Sequence, residues 1–385
     1  MAPKRVLVIG SGPGGLAFVR EALRVLPKDG VEITVVEASR RVVFKPILTY
    51  VATGFRDPED VYVSVEGLEK LGVKAIFDEA VKVDAGERKV LLRGGSEISY
   101  DYLVVAAGGE PNEAAIPGLA EANINPWTVE GAVKLREALK GLGDGSRVVV
   151  GALRPPYPCP PAPFELAGLV VRVGERLGRK FNVTAVFFEK PPLRALGEEV
   201  YTRVLKLLES SGIEFIGGIE ATEVDPQGKV LRYKGGEVSF DLLAVVPPFK
   251  PPRLLRDSGL APESGWPAVD PYKGFRHAKY DDIFLIGDSS IAVFRAPMSG
   301  FLASHMAQAA TAAIARDLGV EVEPPKRAYA TCFVDHIVDG AAIFCDFTGV
   351  IYGEGKPHCH VVAEGPLTGA YKKAYEDYWK GNVAP

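Results

Sequence analysis

The sequence predicts an α/β fold in which parallel β-strands alternate with helices in two successive units. Near-continuous apolar runs, typical of parallel strands buried on both faces, occupy residues 5–9, 102–109 and 147–150, and glycine stands at the end of each. Two further strand patterns, 32–36 and 182–189, lead into an acidic residue. Helical patterns follow the first and third runs, so strand and helix alternate as they do in doubly wound sheets.

Length and composition narrow the function classes. A chain of 385 residues is long enough for two or three domains. The net charge of −4 gives no reason to expect a nucleic-acid partner. No apolar run approaches the length that crosses a bilayer, and the N-terminus lacks the pattern of a signal peptide. We therefore expect a cytoplasmic protein.

The first strand leads directly into a glycine-rich loop, Gly10-Ser-Gly12-Pro13-Gly14-Gly15. Gly10 permits the tight turn, and Gly12 lets backbone N–H groups approach a pyrophosphate. Gly15 allows the following helix to pack close to the strand, and the N-terminus of that helix favours negative charge. The loop therefore predicts a dinucleotide site.

An acidic residue stands where such a site requires one. The strand 32–36 ends at Glu37, 27 residues after Gly10, and a carboxylate there can accept hydrogen bonds from an adenosine ribose. These residues alone leave the choice between FAD and NAD open.

Two later segments favour FAD. Residues 102–109 form an apolar strand that ends in glycines, and residues 282–288 form a strand that ends in Gly-Asp. With the glycine-rich loop they resemble the three FAD signatures of the two-dinucleotide-binding flavoproteins. The resemblance implies two Rossmann-like dinucleotide-binding domains of the disulfide-reductase type, with FAD bound non-covalently, its ribityl chain held by Asp288 and its adenine near residues 79–81. By this resemblance the residues that hold FAD are Gly10, Gly12, Pro13, Gly14, Gly15, Glu37, Ala38, Lys45, Val81, Ala107, Gly108, Gly287, Asp288 and Gly300.

The second unit lacks an intact NAD motif. After the strand 147–150 and Gly151, the loop carries prolines and Cys159 where NADH-dependent flavoproteins have a second glycine-rich loop. Proline has no N–H group, so this loop cannot hold a pyrophosphate with its backbone. The sequence thus argues against NADH as the electron donor.

The cysteines suggest another donor. Cys159 lies in this loop, followed by Pro161 or Pro163 and Glu165, and Cys332 begins the C-terminal segment. The pattern resembles the sulfide:quinone oxidoreductases and the flavoprotein subunit of flavocytochrome c sulfide dehydrogenase. The resemblance implies that sulfide is oxidised to polysulfide or sulfur through a redox-active pair, with Cys159 on the sulfide side and Cys332 on the flavin side, and that FAD passes electrons to quinone. Glu165 either moves protons or is an acidic residue stabilised by the dipole at the helix N-terminus, and both interpretations stay open.

Other residues differ from the family pattern or allow more than one interpretation. Cys345 is expected in a strand, although it can also replace Cys332 in the active pair. Cys359 lies between two histidines, but we expect no metal site there. Met298 stands where the family often has lysine near the flavin, and the stretch 108–147 lacks the third cysteine of many relatives.

The end of the chain predicts an amphipathic helix. Leu367, Tyr371, Tyr375 and Trp379 are four residues apart and share one face. Lys372, Lys373 and Lys380 flank this stripe. Aromatic and basic residues in this arrangement suit a membrane interface, which predicts peripheral association with the cytoplasmic membrane. Packing of the stripe on the protein's own core or on a neighbouring subunit is the alternative.

We predict three parts on this basis. Residues 1–112 and 246–320 form a discontinuous FAD-binding domain, residues 113–245 form the second Rossmann-like domain, and residues 321–385 form a C-terminal α+β segment for docking on a membrane or another interface. Sulfide, quinone and a membrane surface are the expected partners, and a homo-oligomer stays open. The competing functions are sulfide oxidation with a cytochrome c acceptor, a type II NADH:quinone oxidoreductase, and a flavin redox sensor without turnover.

Overall fold

The computed structural model describes residues 2–263, 265–353 and 355–383. The three predicted parts of the chain include a few other positions, among them both chain ends, and these lie outside the described residues. The strands are β1 (Lys4–Ile9), β2 (Val31–Glu37), β3 (Arg41–Val43), β4 (Tyr62–Ser64), β5 (Lys74–Phe77), β6 (Ala80–Asp84), β7 (Lys89–Leu92), β8 (Glu97–Ser99), β9 (Tyr102–Val105), β10 (Glu110–Pro111), β11 (Arg147–Ala152), β12 (Asn182–Phe187), β13 (Glu214–Gly217), β14 (Ala221–Asp225), β15 (Val230–Tyr233), β16 (Gly236–Ser239), β17 (Leu242–Val246), β18 (Phe249–Lys250), β19 (Val269–Asp270), β20 (Arg276–His277), β21 (Ile283–Leu285), β22 (Tyr329–Asp335), β23 (Gly340–Asp346) and β24 (His358–Glu364). The α-helices are α1 (Pro13–Val25), α2 (Leu48–Ala52), α3 (Leu119–Ala122), α4 (Val129–Gly141), α5 (Ala162–Arg176), α6 (Glu198–Ser210), α7 (Arg253–Asp257), α8 (Gly300–Asp317), α9 (Thr348–Ile351) and α10 (Thr368–Tyr378).

The first sheet joins distant parts of the chain. Its strand order is β19-β20-β21-β9-β1-β2-β5, and the strands from β21 to β5 are parallel. The apolar side chains of β1 and β9 are buried, as expected for parallel strands covered on both faces. Helices α1 and α8 pack against each other beside this sheet. Their N-termini therefore lie at the edge where the parallel strands end.

The second sheet is formed by residues 147–246. Its order is β13-β12-β11-β17, and every pairing is parallel. Helix α5 packs against β11 and β12. Each of the two parallel sheets is accompanied by a three-stranded antiparallel sheet, β6-β7-β8 or β14-β15-β16. These features confirm the predicted α/β fold class with two Rossmann-like units.

The last part of the chain has the predicted α+β character. Strands β22, β23 and β24 form an antiparallel sheet, and α10 packs on β22 and β23. Within the described residues, no helix combines the length and apolarity required to cross a bilayer.

The aromatic stripe of α10 is divided by the fold. Leu367 and Tyr371 are exposed, at 64% and 53%, whereas Trp379 is 2% exposed and packs on Phe44. Tyr375 lies between these extremes and stacks on Phe301, with ring centroids 4.4 Å apart. The stripe therefore contacts the protein's own core at its C-terminal end and faces outward at its N-terminal end.

Candidate active site

A cavity of about 600 Å³ lies where the first sheet, the second sheet and the C-terminal sheet meet. Its wall includes the ends of β1, β2 and β21, the start of α5, and residues of β22 and α10. Ligands of doubly wound sheets bind at the carboxyl ends of the strands, and the cavity occupies that edge.

Most of the residues predicted to hold FAD line this cavity. Those in its wall are Gly10, Gly12, Pro13, Gly14, Glu37, Ala38, Lys45, Ala107, Gly108, Gly287, Asp288 and Gly300. Gly15 lies behind the wall, where an added Cβ would come within 1.9 Å of the Gly10 backbone oxygen, so it allows the close helix–strand packing. Val81 follows Ala80, which does line the cavity, in β6.

The glycine-rich loop is shaped to receive phosphate groups. Gly10 has φ +92°, a conformation that favours glycine. An added Cβ at Gly12, just before α1, would meet nothing within 4 Å, so a ligand can approach this backbone closely. Pro13 occupies the first turn of α1, where its missing N–H costs nothing. Open space beside a helix N-terminus fits a pyrophosphate.

Charged side chains stand at both ends of this part of the cavity. Glu37 accepts hydrogen bonds from the backbone N–H and the hydroxyl of Ser11, both at 2.7 Å. At the other end, burial raises the pKa of Asp288, and the nearby Lys45 opposes that rise. The N-terminus of α8, at Ser299 and Gly300, also opens onto the cavity. The two acidic side chains can accept hydrogen bonds from the hydroxyl groups of a flavin dinucleotide. The two helix N-termini favour its negatively charged groups, so the cavity fits this ligand.

The two free cysteines meet at the cavity. Cys159 and Cys332 both line the wall, and their thiols are close enough to hydrogen-bond. The hydrogen bond to Cys159, together with burial, raises the pKa of Cys332 well above its usual value. The structure thus brings together the two residues that the sequence predicts as a pair, although they are 173 positions apart in the sequence (332 minus 159).

The loop that carries Cys159 is held in an unusual conformation. Cys159 has φ +52°, in the left-handed region that side chains other than glycine rarely adopt. Its backbone N–H donates to the Met298 backbone oxygen at 3.0 Å, and Pro158 forms a β-bridge with the same residue. Such strain, of about 1–3 kcal/mol, persists where neighbouring structure enforces it and is concentrated at functional sites. Met298, the departure from the family's lysine, therefore fixes the cysteine loop through its backbone.

Glu165 is the centre of a buried polar cluster. Its side chain accepts hydrogen bonds from Lys372 at 2.6 Å, from the Thr49 hydroxyl at 2.7 Å and from the Asp335 backbone N–H at 3.1 Å. Burial raises the pKa of Glu165, and Lys372 opposes this effect. Glu165 also lies in the first turn of α5, so the two readings of this residue, as a proton carrier and as a helix-terminal acid, are compatible.

The position of Lys372 differs from the one expected from the sequence. The pattern of α10 places this lysine beside an aromatic stripe, as a basic residue for a membrane surface. Its side chain is instead 3% exposed, pairs with Glu165 and lies over the Tyr50 ring at 4.0 Å. The reason is that α10 packs on β22, which turns this face of the helix toward the cavity. Lys372 is a site residue that the sequence did not identify.

An ion-pair network holds α10 in this position. Glu376, one turn after Lys372, accepts two hydrogen bonds from the Arg56 guanidinium, each at 3.0 Å. Lys380 donates to Glu376 at 2.7 Å and to the Asp60 backbone oxygen at 2.7 Å. The Glu376 side chain is 3% exposed, so these contacts fix the inner face of the helix against the chain near α2.

The structure also changes the expectation for the other two cysteines. Cys345 and Cys359 face each other on β23 and β24 and are joined by a disulfide bond. Cys345 is indeed a strand residue, but it does not replace Cys332 in the pair at the cavity. The spacing of the four cysteines in the sequence does not predict this bond, because the bond depends on which residues of the two strands lie opposite each other.

Two more aromatic residues in the wall carry no sequence signal. Tyr375 lines the cavity from α10, and Trp127 lines it from the segment before α4. Tyr375 was predicted only as part of the outward stripe, and Trp127 belongs to no motif.

The chain is similar in sequence to several known proteins. Residues 4–315 match the family model described as pyridine nucleotide-disulphide oxidoreductase. The chain is 28% identical over 322 residues to the mitochondrial sulfide:quinone oxidoreductase of Mus musculus, covering 77% of this chain and 69% of that protein. It is 26% identical over 412 residues to the sulfide-quinone reductase of Aquifex aeolicus, covering 99% and 93%. An alternative NAD(P)H-ubiquinone oxidoreductase of Arabidopsis thaliana is 29% identical over 237 residues, covering 56% and 44%.

A solved structure extends the likeness to the fold. The sulfide:quinone oxidoreductase from Aquifex aeolicus superposes with a TM-score of 0.83 at 24% sequence identity, covering 99% of this chain and 91% of that chain. The match thus includes the C-terminal sheet and α10 as well as both parallel sheets.

Proposed function

The chain belongs to the pyridine nucleotide-disulphide oxidoreductase family, and from that premise we propose that it oxidises sulfide and passes the electrons through FAD to a quinone. One observation carries the proposal: two free cysteines from distant parts of the chain come together in the wall of the dinucleotide cavity, where Cys159 raises the pKa of Cys332. Two relatives that cover 77% and 99% of the chain are described as a sulfide:quinone oxidoreductase and a sulfide-quinone reductase.

The second sheet supports sulfide rather than NADH as the donor. The turn between β11 and α5, where a nucleotide-binding loop would lie, has prolines at several positions and Pro161 at the N-cap of α5. The backbone N–H of Cys159 already donates to Met298. A pyrophosphate would find few donors here, because proline contributes none.

FAD binding fits the first sheet and its helices. We propose that residues 1–112 and 246–320 form the FAD-binding unit and that residues 113–245 form the second unit. In this unit the glycine-rich loop holds the pyrophosphate, Glu37 the adenosine ribose and Asp288 the ribityl chain. Bound FAD supplies a two-electron acceptor that can be reoxidised by quinone. We propose that it is bound non-covalently, since the cysteines that line the described cavity are the two assigned to sulfur chemistry.

The sulfur chemistry needs both thiols. When the pair is oxidised to a disulfide, hydrosulfide attacks Cys159, which becomes a persulfide, and Cys332 leaves as a thiolate. A new sulfur–sulfur bond between the persulfide and Cys332 then releases two electrons and one proton, leaving one added sulfur atom between the cysteines. In the reduced pair, burial and the hydrogen bond to Cys159 raise the pKa of the Cys332 thiol. Cys159 lies on the side where sulfide arrives, and Cys332 on the flavin side.

Reduction of a quinone takes up two protons as well as two electrons, and the buried Glu165–Lys372 pair lies where it can pass protons into the cavity. Both side chains line the cavity and are 3% exposed. A carboxyl group whose pKa is raised by burial exchanges a proton near neutral pH more readily than an ordinary glutamate. Lys372 holds that carboxylate in place.

The outward part of α10 supports contact with a membrane. Leu367, Tyr371 and Tyr378 are exposed large side chains on the helix whose inner face carries Lys372 into the cavity. Contiguous exposed apolar and aromatic groups mark interaction sites, and amphipathic helices of this kind lie in the membrane interface. We propose that the protein associates peripherally with the cytoplasmic membrane through this face.

Serine variants of the two cysteines test the proposal. Anaerobic rapid mixing of the FAD-loaded protein with sulfide is expected to bleach the flavin. Cys159→Ser and Cys332→Ser are expected to keep the flavin but lose the bleaching, because neither can complete the sulfur–sulfur bond. Cys345→Ser, which alters a cysteine away from the cavity, is the matched control and should bleach normally. Bleaching of either site variant at the rate of the unaltered protein would contradict the cysteine mechanism.

A further inference from the structure

The proposed contacts of FAD restrict its flavin ring to one part of the cavity. The glycine-rich loop holds the pyrophosphate and Asp288 the ribityl chain, and the ring is attached to the end of that chain. The ring must also receive electrons from the cysteine pair. It therefore lies between Asp288 and the two free cysteines, Cys159 and Cys332, which line the same cavity.

The N-terminus of α8 forms the wall beside this part of the cavity. Ser299 is the N-cap of the helix and Gly300 its first residue, and both line the cavity. The Ser299 side chain makes no capping hydrogen bond, so the N–H groups of the first turn stay available to a ligand. These groups carry the partial positive charge of the helix end, which favours a negative group nearby.

The Tyr375 hydroxyl reaches the same place from α10. A Cβ added at Gly300 would lie 3.2 Å from this hydroxyl oxygen and 3.4 Å from the Pro13 Cβ, so the hydroxyl lies beside the first residues of both α8 and α1. All three residues line the cavity. Within the described part of the chain the hydroxyl oxygen has no hydrogen-bond partner but keeps accessible surface. The hydroxyl therefore opens into the cavity as a free donor.

Packing fixes the position of this hydroxyl. The Tyr375 ring stacks on Phe301, with centroids 4.4 Å apart and an interplanar angle of 20°. Phe301 follows Gly300 in α8, so the stacking holds the hydroxyl in place relative to that helix end. Burial raises the pKa of Tyr375, and the neighbouring Cys159 and Cys332 raise it further, so the hydroxyl keeps its proton.

The positive side chains in the cavity wall have acidic partners of their own. Within the described residues, Arg41, Arg253 and Lys372 pair with carboxylates, and Lys45 lies near Asp288. A negative charge that forms on the flavin ring beside α8 therefore depends on the helix N-terminus and on hydroxyl donors.

Reduction of the flavin creates such a charge. Two electrons and one proton convert FAD to its reduced anion, whose charge is shared by N1 and the oxygen on C2 of the ring, and nearby protein groups tune this part of the flavin. We infer that the Tyr375 hydroxyl donates a hydrogen bond to this part of the ring beside the N-terminus of α8, an inference that rests on the proposed function. A hydrogen bond to an ionised acceptor is roughly twice as strong as one between neutral groups, so this bond favours the reduced flavin.

A phenylalanine substitution isolates the hydroxyl. Tyr375→Phe keeps the stacked ring and removes the donor. Loss of a hydrogen bond to a charged group should weaken binding of reduced FAD, relative to oxidised FAD, by about tenfold. This change lowers the two-electron midpoint potential of the flavin by about 30 mV. Anaerobic titration of the FAD-loaded protein with dithionite, in the presence of a dye of known potential, measures the shift.

The pH dependence of the potential gives a second measurement. As pH rises through the pKa of N1 in the reduced flavin, the plot of potential against pH becomes shallower, because reduction then takes up one proton instead of two. A donor to the anion lowers that pKa, so Tyr375→Phe should raise it by about one unit, the equivalent of a tenfold change. The bend in the plot should move to higher pH by the same amount.

Tyr329→Phe is the matched control. Tyr329 is 44% exposed on β22 and does not line the cavity, so this variant should keep the potential of the unaltered protein. Equal potentials in the two variants would overturn the inference. A raised KM for quinone with an unchanged potential would also overturn it, because the hydroxyl would then act on the quinone. So would loss of FAD from Tyr375→Phe alone, which would give the hydroxyl a role in binding oxidised flavin.

The outcome of this titration is separable from that of the proposed function. Dithionite reduces the flavin without sulfide, so the midpoint potential does not depend on the natural donor. If sulfide fails to bleach the unaltered protein, the proposed function is wrong, whereas the potential of Tyr375→Phe still decides whether the hydroxyl acts on the reduced flavin. Normal bleaching by sulfide together with an unchanged potential would leave the proposed function intact and contradict the role of Tyr375.

Discussion

Replacing Lys372 by methionine removes the positive partner of a buried carboxylate and nearly preserves the side-chain length. Lys372 and Glu165 are 2.6 Å apart, and both side chains are 3% exposed. After the change, the partners of Glu165 within the described residues are the Thr49 hydroxyl and the Asp335 N–H. Removing one partner of a buried pair typically costs about 3–5 kcal/mol, because the other charge stays buried. The variant should lose that amount of unfolding free energy at neutral pH.

The loss should depend on pH in a defined direction. In the unaltered protein, burial raises the pKa of Glu165 above its ordinary value and Lys372 opposes the rise. Without Lys372 the pKa rises further. An acid whose folded-state pKa is raised favours folding at low pH, and this contribution is lost as pH rises through the folded pKa. The destabilisation of Lys372→Met should therefore be large at about pH 8 and shrink toward about pH 5.

Urea unfolding of the FAD-loaded protein at both pH values measures this effect. Lys373→Met is the matched control, since that lysine pairs with Asp377 at the surface, with side chains 52% and 62% exposed. An exposed pair of this kind contributes about 0.3–0.5 kcal/mol. The double variant Glu165→Gln, Lys372→Met should recover much of the lost stability, because no charge is left buried. A loss no larger than that of the control, or one that is independent of pH, would refute this reasoning.

Three further changes test other parts of the account. The double variant Cys345→Ser, Cys359→Ser opens a loop of 14 residues and should lower stability by about 3 kcal/mol in thermal unfolding. Its sulfide-dependent flavin bleaching should be unchanged, and a lost reaction would place this disulfide in catalysis. Gly15→Ala should yield protein without bound flavin, because the added Cβ would lie 1.9 Å from a backbone oxygen of the glycine-rich loop; full flavin content after purification would argue against the close packing. Leu367→Glu with Tyr371→Glu should reduce cosedimentation with lipid vesicles and leave anaerobic bleaching by sulfide intact, whereas undiminished vesicle binding would contradict the proposed membrane face.

The parallel sheets and the cavity at the ends of their strands were predictable because their signals are local. An apolar strand that ends in glycine and leads into a helix specifies both the buried position and the turn that follows, as at Gly10. The same holds for the Gly-Asp end of β21 at Asp288. The cysteine pair was predicted only through the family resemblance, since Cys159 and Cys332 share no local pattern.

The C-terminal contributions to the site could not be predicted in this way. Periodicity placed Lys372 beside the aromatic stripe of α10, but it does not show which face of a helix meets the core. That choice depends on the return of β22 and α10 to the cavity, which brings Lys372 within 2.6 Å of Glu165, 207 positions earlier. The Cys345–Cys359 bond likewise depends on the register of β23 and β24.

The most direct test of the central claim is an anaerobic titration of the FAD-loaded protein with sulfide, and separately with NADH, while flavin absorbance is recorded. A short-chain quinone is then added to the reduced sample. The account predicts that sulfide bleaches the flavin stoichiometrically, that quinone restores the colour and that NADH has no effect, because the loop around Cys159 offers no site for a second dinucleotide. Bleaching by NADH without a response to sulfide would contradict it.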